Sequence, residues 1–155
     1  MISLAQNMFN QAEGALRALE ALQPVALLAA RLYVAKVFLL SGLTKLRDWD
    51  TTLALFMDEY HVPLLPAEWA AWLGTGAELI LPVLLVLGLG GRIAALGLFA
   101  LNAVAVISLM DVADAALQQH IFWGSLLAGL AIYGSGPWSL DRWLASRLGL
   151  LQPKN

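Results

Sequence analysis

Apolar residues run almost without interruption through four stretches of the chain, 24–43, 69–89, 92–110 and 119–133. Each approaches the ~20 residues that an α-helix needs to cross a hydrocarbon core of roughly 30 Å. The last is the shortest, and its helix can begin earlier, near Ala113. Pro24 and Pro66 stand near the starts of the first two stretches, where a missing N–H costs little. Gly88, Gly90 and Gly91 form a tight turn between the second and third. Ahead of the first stretch, Ala5, Met8, Phe9, Ala12, Leu16 and Leu19 recur at helical spacing and predict an amphipathic helix over 1–21, lying on the membrane surface. This N-terminus lacks the early positive charge and apolar core of a signal peptide.

The connections order these elements. A long link, 44–68, contains Leu53, Phe56, Met57 and Tyr60 on one helical face and predicts a short helix packed on the bundle or in the interface. The other links are short, so neighbouring helices should run antiparallel. "GSGPW" should stop the fourth stretch, with Ser139 capping an interfacial helix within 138–150. The expected architecture is an all-α, integral membrane four-helix up-down bundle forming a single domain over 1–155. The six tryptophans, Trp49, Trp69, Trp72, Trp123, Trp138 and Trp143, fall mostly near predicted span ends, as an interfacial aromatic belt would place them.

Composition strengthens this reading, since 60% of the residues are hydrophobic and only 13% charged, beyond the apolar share of a soluble domain. A net charge of -2 without a long basic block leaves no footprint for nucleic acid. Cysteine is absent, which removes thiolate metal sites, iron–sulfur ligation and disulfide exchange. Arg17, Arg92, Arg142, Arg147 and Lys154 share one predicted side against Lys45 and Arg47 on the other. The positive-inside rule then places both termini in the cytoplasm.

Against this apolar background a few polar groups stand out. At about 1.5 Å of rise per residue, Arg31 lies roughly 10 Å into the bilayer, Lys36 roughly 18 Å, and Glu78 and Asn102 roughly 15 Å each. Ionised groups at such depth cost at least about 2.5–3.5 kcal/mol each, which favours pairing inside the bundle, and Glu78 is the acid available. Arg31 and Lys36 are rotated by roughly 140° from one another on a 3.6-residue helix, so both cannot face Glu78. The stripe Arg31, Phe38, Gly42 and Lys45 is the expected seam, with Lys36 reaching a second partner or snorkelling. The alternative is that Arg31, Glu78 and Asn102 only lock helices together.

The segments "RLYVAKVFLLSGLTKL", "GAELILPVLLVLGLGGRIAAL" and "YGSGPWSLD" resemble the DoxX family of small bacterial four-helix membrane proteins, related to the DoxD subunit of thiosulfate:quinone oxidoreductase. The matching positions are Arg31, Gly42, Lys45, Glu78, Gly88, Arg92 and the ending Gly134 to Asp141, which includes Ser139 and Asp141. The resemblance implies a bacterial inner-membrane protein of redox or stress systems, acting as an accessory partner of an oxidoreductase complex rather than as an enzyme alone, with quinone as the implied ligand.

A quinone site needs an apolar slot and hydrogen-bond donors, which Arg31, Lys36 and Asn102 supply, while Glu78 could relay a proton. Haem is disfavoured, because the only imidazoles, His61 and His120, lie in the outer loop and at the outer end of the fourth span. These histidines with Asp58, Glu59, Glu68, Asp111 and Asp114 are weak candidates for a divalent metal, and a hydrated acidic surface is the favoured reading. Arg92 should anchor lipid headgroups, and Lys45 should cap its helix or hold Asp48 or Asp50. The rival function is a small oligomeric transporter or export partner for an anion or metal, with small residues such as Gly74, Gly76 and Ala77 permitting close helix contacts within or between chains.

Overall fold

A computed structural model describes residues 2–109 and 112–150, with side chains from residue 11 onward. The described chain is all-helical: α1 Ile2–Arg47, α2 Trp49–Asp58, α3 Ala67–Leu87, α4 Gly91–Ser108, α5 Asp114–Tyr133 and α6 Leu140–Arg147. The surface helix and the first span, expected as two elements, form one 46-residue helix with Pro24 inside it. Most residues of α1 from Gln11 to Ala29 are exposed, and the packed part of the helix begins near Arg31. Ala5, Met8 and Phe9, the start of the expected amphipathic face, lie outside the described side chains.

From Gln11 onward α1 is long and apolar enough to cross a membrane, as are α3 and α4. The fourth expected span differs. Helix α5 starts at Asp114, earlier than Gln119, and has the length, but the run Gln118, Gln119 and His120 keeps it below the hydropathy of the other three. The structure therefore supports three spans by length and composition.

Helix α1 packs along α3 and α5, α3 along α4, and α4 along α5, with α2 resting on α3 and α1. Val34, Phe38, Leu85, Ala94, Ala95, Leu98, Leu127 and Leu130 form the main core where these helices meet. Phe56 of α2 packs with Ala70 and Ala71 of α3 in a second, smaller cluster.

The turns follow from local chemistry. Asp48 caps α2, accepting from Thr51 N–H at 3.0 Å and Thr51 Oγ1 at 2.6 Å. These two bonds hold its carboxyl below the usual carboxylate range. Gly88 ends α3 in the left-handed conformation at φ 65°, and Leu89 N–H reaches back to Leu84 O at 3.0 Å. Asp141 then seals the start of α4, with Oδ1 accepting from Gly90 N–H at 2.8 Å and Oδ2 from Gly91 N–H at 3.1 Å. Ser139 caps α6 by accepting from Arg142 N–H at 3.3 Å. Helix α6 is shorter than the 138–150 expected for it.

Candidate functional site

Ser41 and Lys45 lie one turn apart on α1, so they project from the same face. Glu78 of α3 meets them. Lys45 Nζ donates to Glu78 Oε2 at 2.6 Å and to Ser41 Oγ at 2.8 Å, and Ser41 Oγ donates to Glu78 Oε1 at 3.2 Å. The pair is largely withdrawn from the surface, with side-chain exposures of 17% for Lys45 and 13% for Glu78. Gly42 makes this approach feasible, because a Cβ there would lie 3.0 Å from both Glu78 Cβ and Leu79 Cδ2.

These groups border a cavity of about 520 Å³ between α1, α3 and α4. Its walls are mainly apolar, with Val37, Phe38, Leu73, Leu101 and Val104 among them. Such a volume suits a drug-sized ligand held by a few placed polar groups. Phe56 and Tyr60 close it from the α2 side, their rings stacked at 5.0 Å. The segment after α2 is tied down, since Tyr60 bridges to Leu109 and His61 N–H donates to Ser108 O at 2.8 Å. Burial, then the nearby Glu78 and Glu59 carboxylates, push the Tyr60 phenol above its ordinary value.

The far wall carries His120 and Trp123 of α5 and Ser108 of α4. Asn102 Nδ2 donates to His120 O at 2.9 Å, which leaves Asn102 Oδ1 facing His120 Nδ1 at 2.8 Å. An amide oxygen only accepts, so Nδ1 carries the proton, and Nε2 is an acceptor whenever the ring is neutral. Trp123 Nε1 and Ser108 Oγ are buried without a hydrogen-bond partner among the described residues. The cavity wall thus carries a cation, an acid and an imidazole, and two lining residues, Trp123 and Ser108, whose own polar atoms are buried without a partner among the described residues.

The structure disperses the four groups expected to share one site. Arg31 does not meet Glu78. It is 1% exposed and donates from Nη2 to Trp138 O at 2.5 Å, beside the α3–α4 turn. Gly88, its neighbour on α3, lies ten residues beyond Glu78, roughly 15 Å of helix rise. Counting depth from Pro24 misplaced Arg31, because α1 runs past that point and packs in a register that aligns Arg31 with the turn and Lys45 with Glu78. Lys36 is exposed on the outer face of α1. Asn102 is buried but works through His120, and of the four only Glu78 lines the cavity.

Lys45 is likewise corrected: its ammonium goes to Glu78 and not to Asp48 or Asp50. Arg92 is exposed near Gly134 at the start of α4. Among the described residues no group of three or more His, Asp or Glu could hold a metal ion, His61 is exposed, and Asp111 lies outside the described residues. Sequence reasoning overlooked Tyr60, Ser108 and Trp123 as cavity groups. The usable signal was the spacing Ser41, Gly42, Lys45, which places a hydroxyl and an ammonium on one face around a small residue.

A set of long apolar helices around a cavity with an ion pair in its wall describes a membrane protein with an internal cavity. The chain belongs to the DoxX family, whose model matches residues 26–111. That match includes Arg31, Gly42, Lys45, Glu78, Gly88 and Arg92, while the Gly134–Asp141 ending lies beyond it. No curated protein and no solved structure matches the chain.

Proposed function

We propose that the protein is a membrane accessory subunit of a redox or stress-response system and binds a quinone or similar amphipathic molecule in the cavity beside Lys45 and Glu78. The observation that carries this reading is the apolar cavity of about 520 Å³ lined by Lys45 and Glu78 and by Trp123 and Ser108, whose Nε1 and Oγ are buried without partners among the described residues. Buried polar groups are rarely left unpaired, so they favour a ligand that carries acceptors into an apolar slot. A quinone ring has carbonyl oxygens for the indole N–H, the hydroxyl or the ammonium, and bound it would supply reversible two-electron, two-proton chemistry. The chain's own residues bind and orient the ring, and Glu78 and His120 Nε2 are the groups placed to hold a proton at the cavity wall. Phe56 and Tyr60 exclude water from the α2 side.

In this reading α5 completes a four-helix bundle as a fourth span, with its polar start at the interface. The protein resides in the bacterial inner membrane with both termini in the cytoplasm, and the redox partner is another protein. Val34, Leu98 and Leu127 are packed into the core beside the cavity, and a conduit through one chain would have to part it. The transporter alternative therefore requires a path between chains of an assembly.

The test is mass spectrometry of small molecules extracted from gently purified protein. A near-stoichiometric quinone that disappears in Trp123→Phe and Glu78→Gln, with helicity retained, is expected. An extract free of quinones and other amphipaths, or one unchanged by both substitutions, would reject the proposal.

A further inference from the structure

The opposite end of the molecule carries an unrelated excess of positive charge. Arg31 is 1% exposed, its Nη2 donates to Trp138 O, and its Nε and Nη1 have no partner among the described residues. No described acid lies within ion-pair distance of it: the two described ion pairs are Arg17–Glu13 and Lys45–Glu78. A buried guanidinium without a counter-charge is strongly unfavourable and calls for an anion close by.

Gly88 shows where Arg31 sits. A Cβ on this residue, at φ 65°, would lie 2.5 Å from Arg31 Nη1 and 2.5 Å from Ser139 Cβ. The missing side chain therefore lets the guanidinium come up beside Ser139, a residue that lines an open groove of about 590 Å³. Arg92 and Arg142 also line that groove, as does Ser135, whose Oγ is buried without a partner among the described residues. Asp141 is the one acid lining it, and both of its oxygens are taken by Gly90 and Gly91 N–H. The helix start, not an arginine, satisfies this carboxylate. Two guanidiniums thus line a groove whose own acid is already engaged, and a third, Arg31, lies buried behind it beside Gly88 and Ser139.

We infer that this groove, where the α3–α4 turn meets the loop following α5, binds a phosphate group, with Arg92 and Arg142 gripping the oxygens and Arg31 supplying the charge behind them. Arginine suits phosphate because its planar donor fork matches the oxygens. The groove opens at helix ends, the level at which lipid phosphates lie. Ile93 and Tyr133, each 76% exposed, stand at its edge and offer apolar surface to an acyl chain. The phosphate source is a phospholipid head or a soluble phosphate.

The experiment uses the full chain, delipidated in a neutral detergent, with melting followed by circular dichroism. Short-chain phosphatidylglycerol is titrated against short-chain phosphatidylcholine, and inorganic phosphate against chloride at equal ionic strength. Saturable stabilisation by phosphatidylglycerol alone identifies a lipid headgroup. Stabilisation by inorganic phosphate as well identifies a general phosphate site. In either case Arg31→Gln, and separately the exposed pair Arg92→Gln with Arg142→Gln, should weaken the apparent affinity at least tenfold. Neither ligand stabilising the protein, or stabilisation unchanged in the Arg92/Arg142 double variant, would overturn the inference even if Arg31→Gln failed to fold.

Discussion

Replacing Glu78 with Leu leaves the Lys45 ammonium without its carboxylate at a site where both side chains are mostly covered, 17% and 13% exposed. Breaking a fully buried pair from one side costs about 3–5 kcal/mol, because the remaining charge stays desolvated. Lys45 stands near the end of α1 and retains Ser41 Oγ at 2.8 Å, so partial relaxation toward the interface should reduce the loss to about 2–3 kcal/mol. For a chain of this size that is a fall in melting temperature of roughly 4–12 °C. Lys45→Met alone should cost a similar amount, because it strands the carboxylate. The double variant is the informative one. With both charges gone and similar volume kept, it should cost no more than about 1 kcal/mol, giving a coupling of about 3–5 kcal/mol between the sites. The assay is thermal melting of all four proteins in one detergent, with helicity checked by circular dichroism. Single variants that melt like the wild type, or a double variant that loses the sum of the two, would show that the contact carries no coupling.

Gly42→Val should push α1 from α3, because its first side-chain carbon would already be 3.0 Å from Glu78 Cβ, and overpacking of this kind costs about 1–3 kcal/mol, visible as a lower melting temperature. The Tyr60 phenol is held protonated beyond its ordinary value, so a tyrosinate absorbance titration should show one tyrosine ionising late and losing part of that shift in Glu78→Gln. Its stabilising effect is fully present below the unfolded tyrosine value of about 10 and is lost as pH rises through the folded value. Asp141→Ala removes both bonds to the start of α4 and should cost about 1–2 kcal/mol by thermal melting, with no change in binding at the distant Lys45–Glu78 cavity.

The helices α3 and α4 were legible because unbroken apolar runs of spanning length, separated by Gly88 and Gly90, leave few other readings. The short helix α2 was legible from Phe56 and its neighbours at helical spacing. The site was harder, for a physical reason. In a bilayer the outer face of a helix is as apolar as the inner one, so the periodicity that marks a buried face in water fades. Lys36 and Arg31 therefore looked alike in the sequence, although one is exposed and the other is buried against Trp138. Register was hidden as well. Which residue of α1 faces Glu78 depends on where α3 turns and on the small residue at position 42, and a depth count from a guessed span start misses both. The unpartnered Trp123 and Ser108 atoms arise only when α4 and α5 are brought together around the cavity.

The most direct test of the cavity as a ligand site is a fluorescence titration of the purified protein with a short-tailed benzoquinone, comparing wild type with Trp123→Phe. Trp123 is in the cavity wall, so wild-type emission should fall saturably and the variant should lose both the saturable component and most of the affinity. Quenching that is linear in quinone and identical in the two proteins would contradict the account.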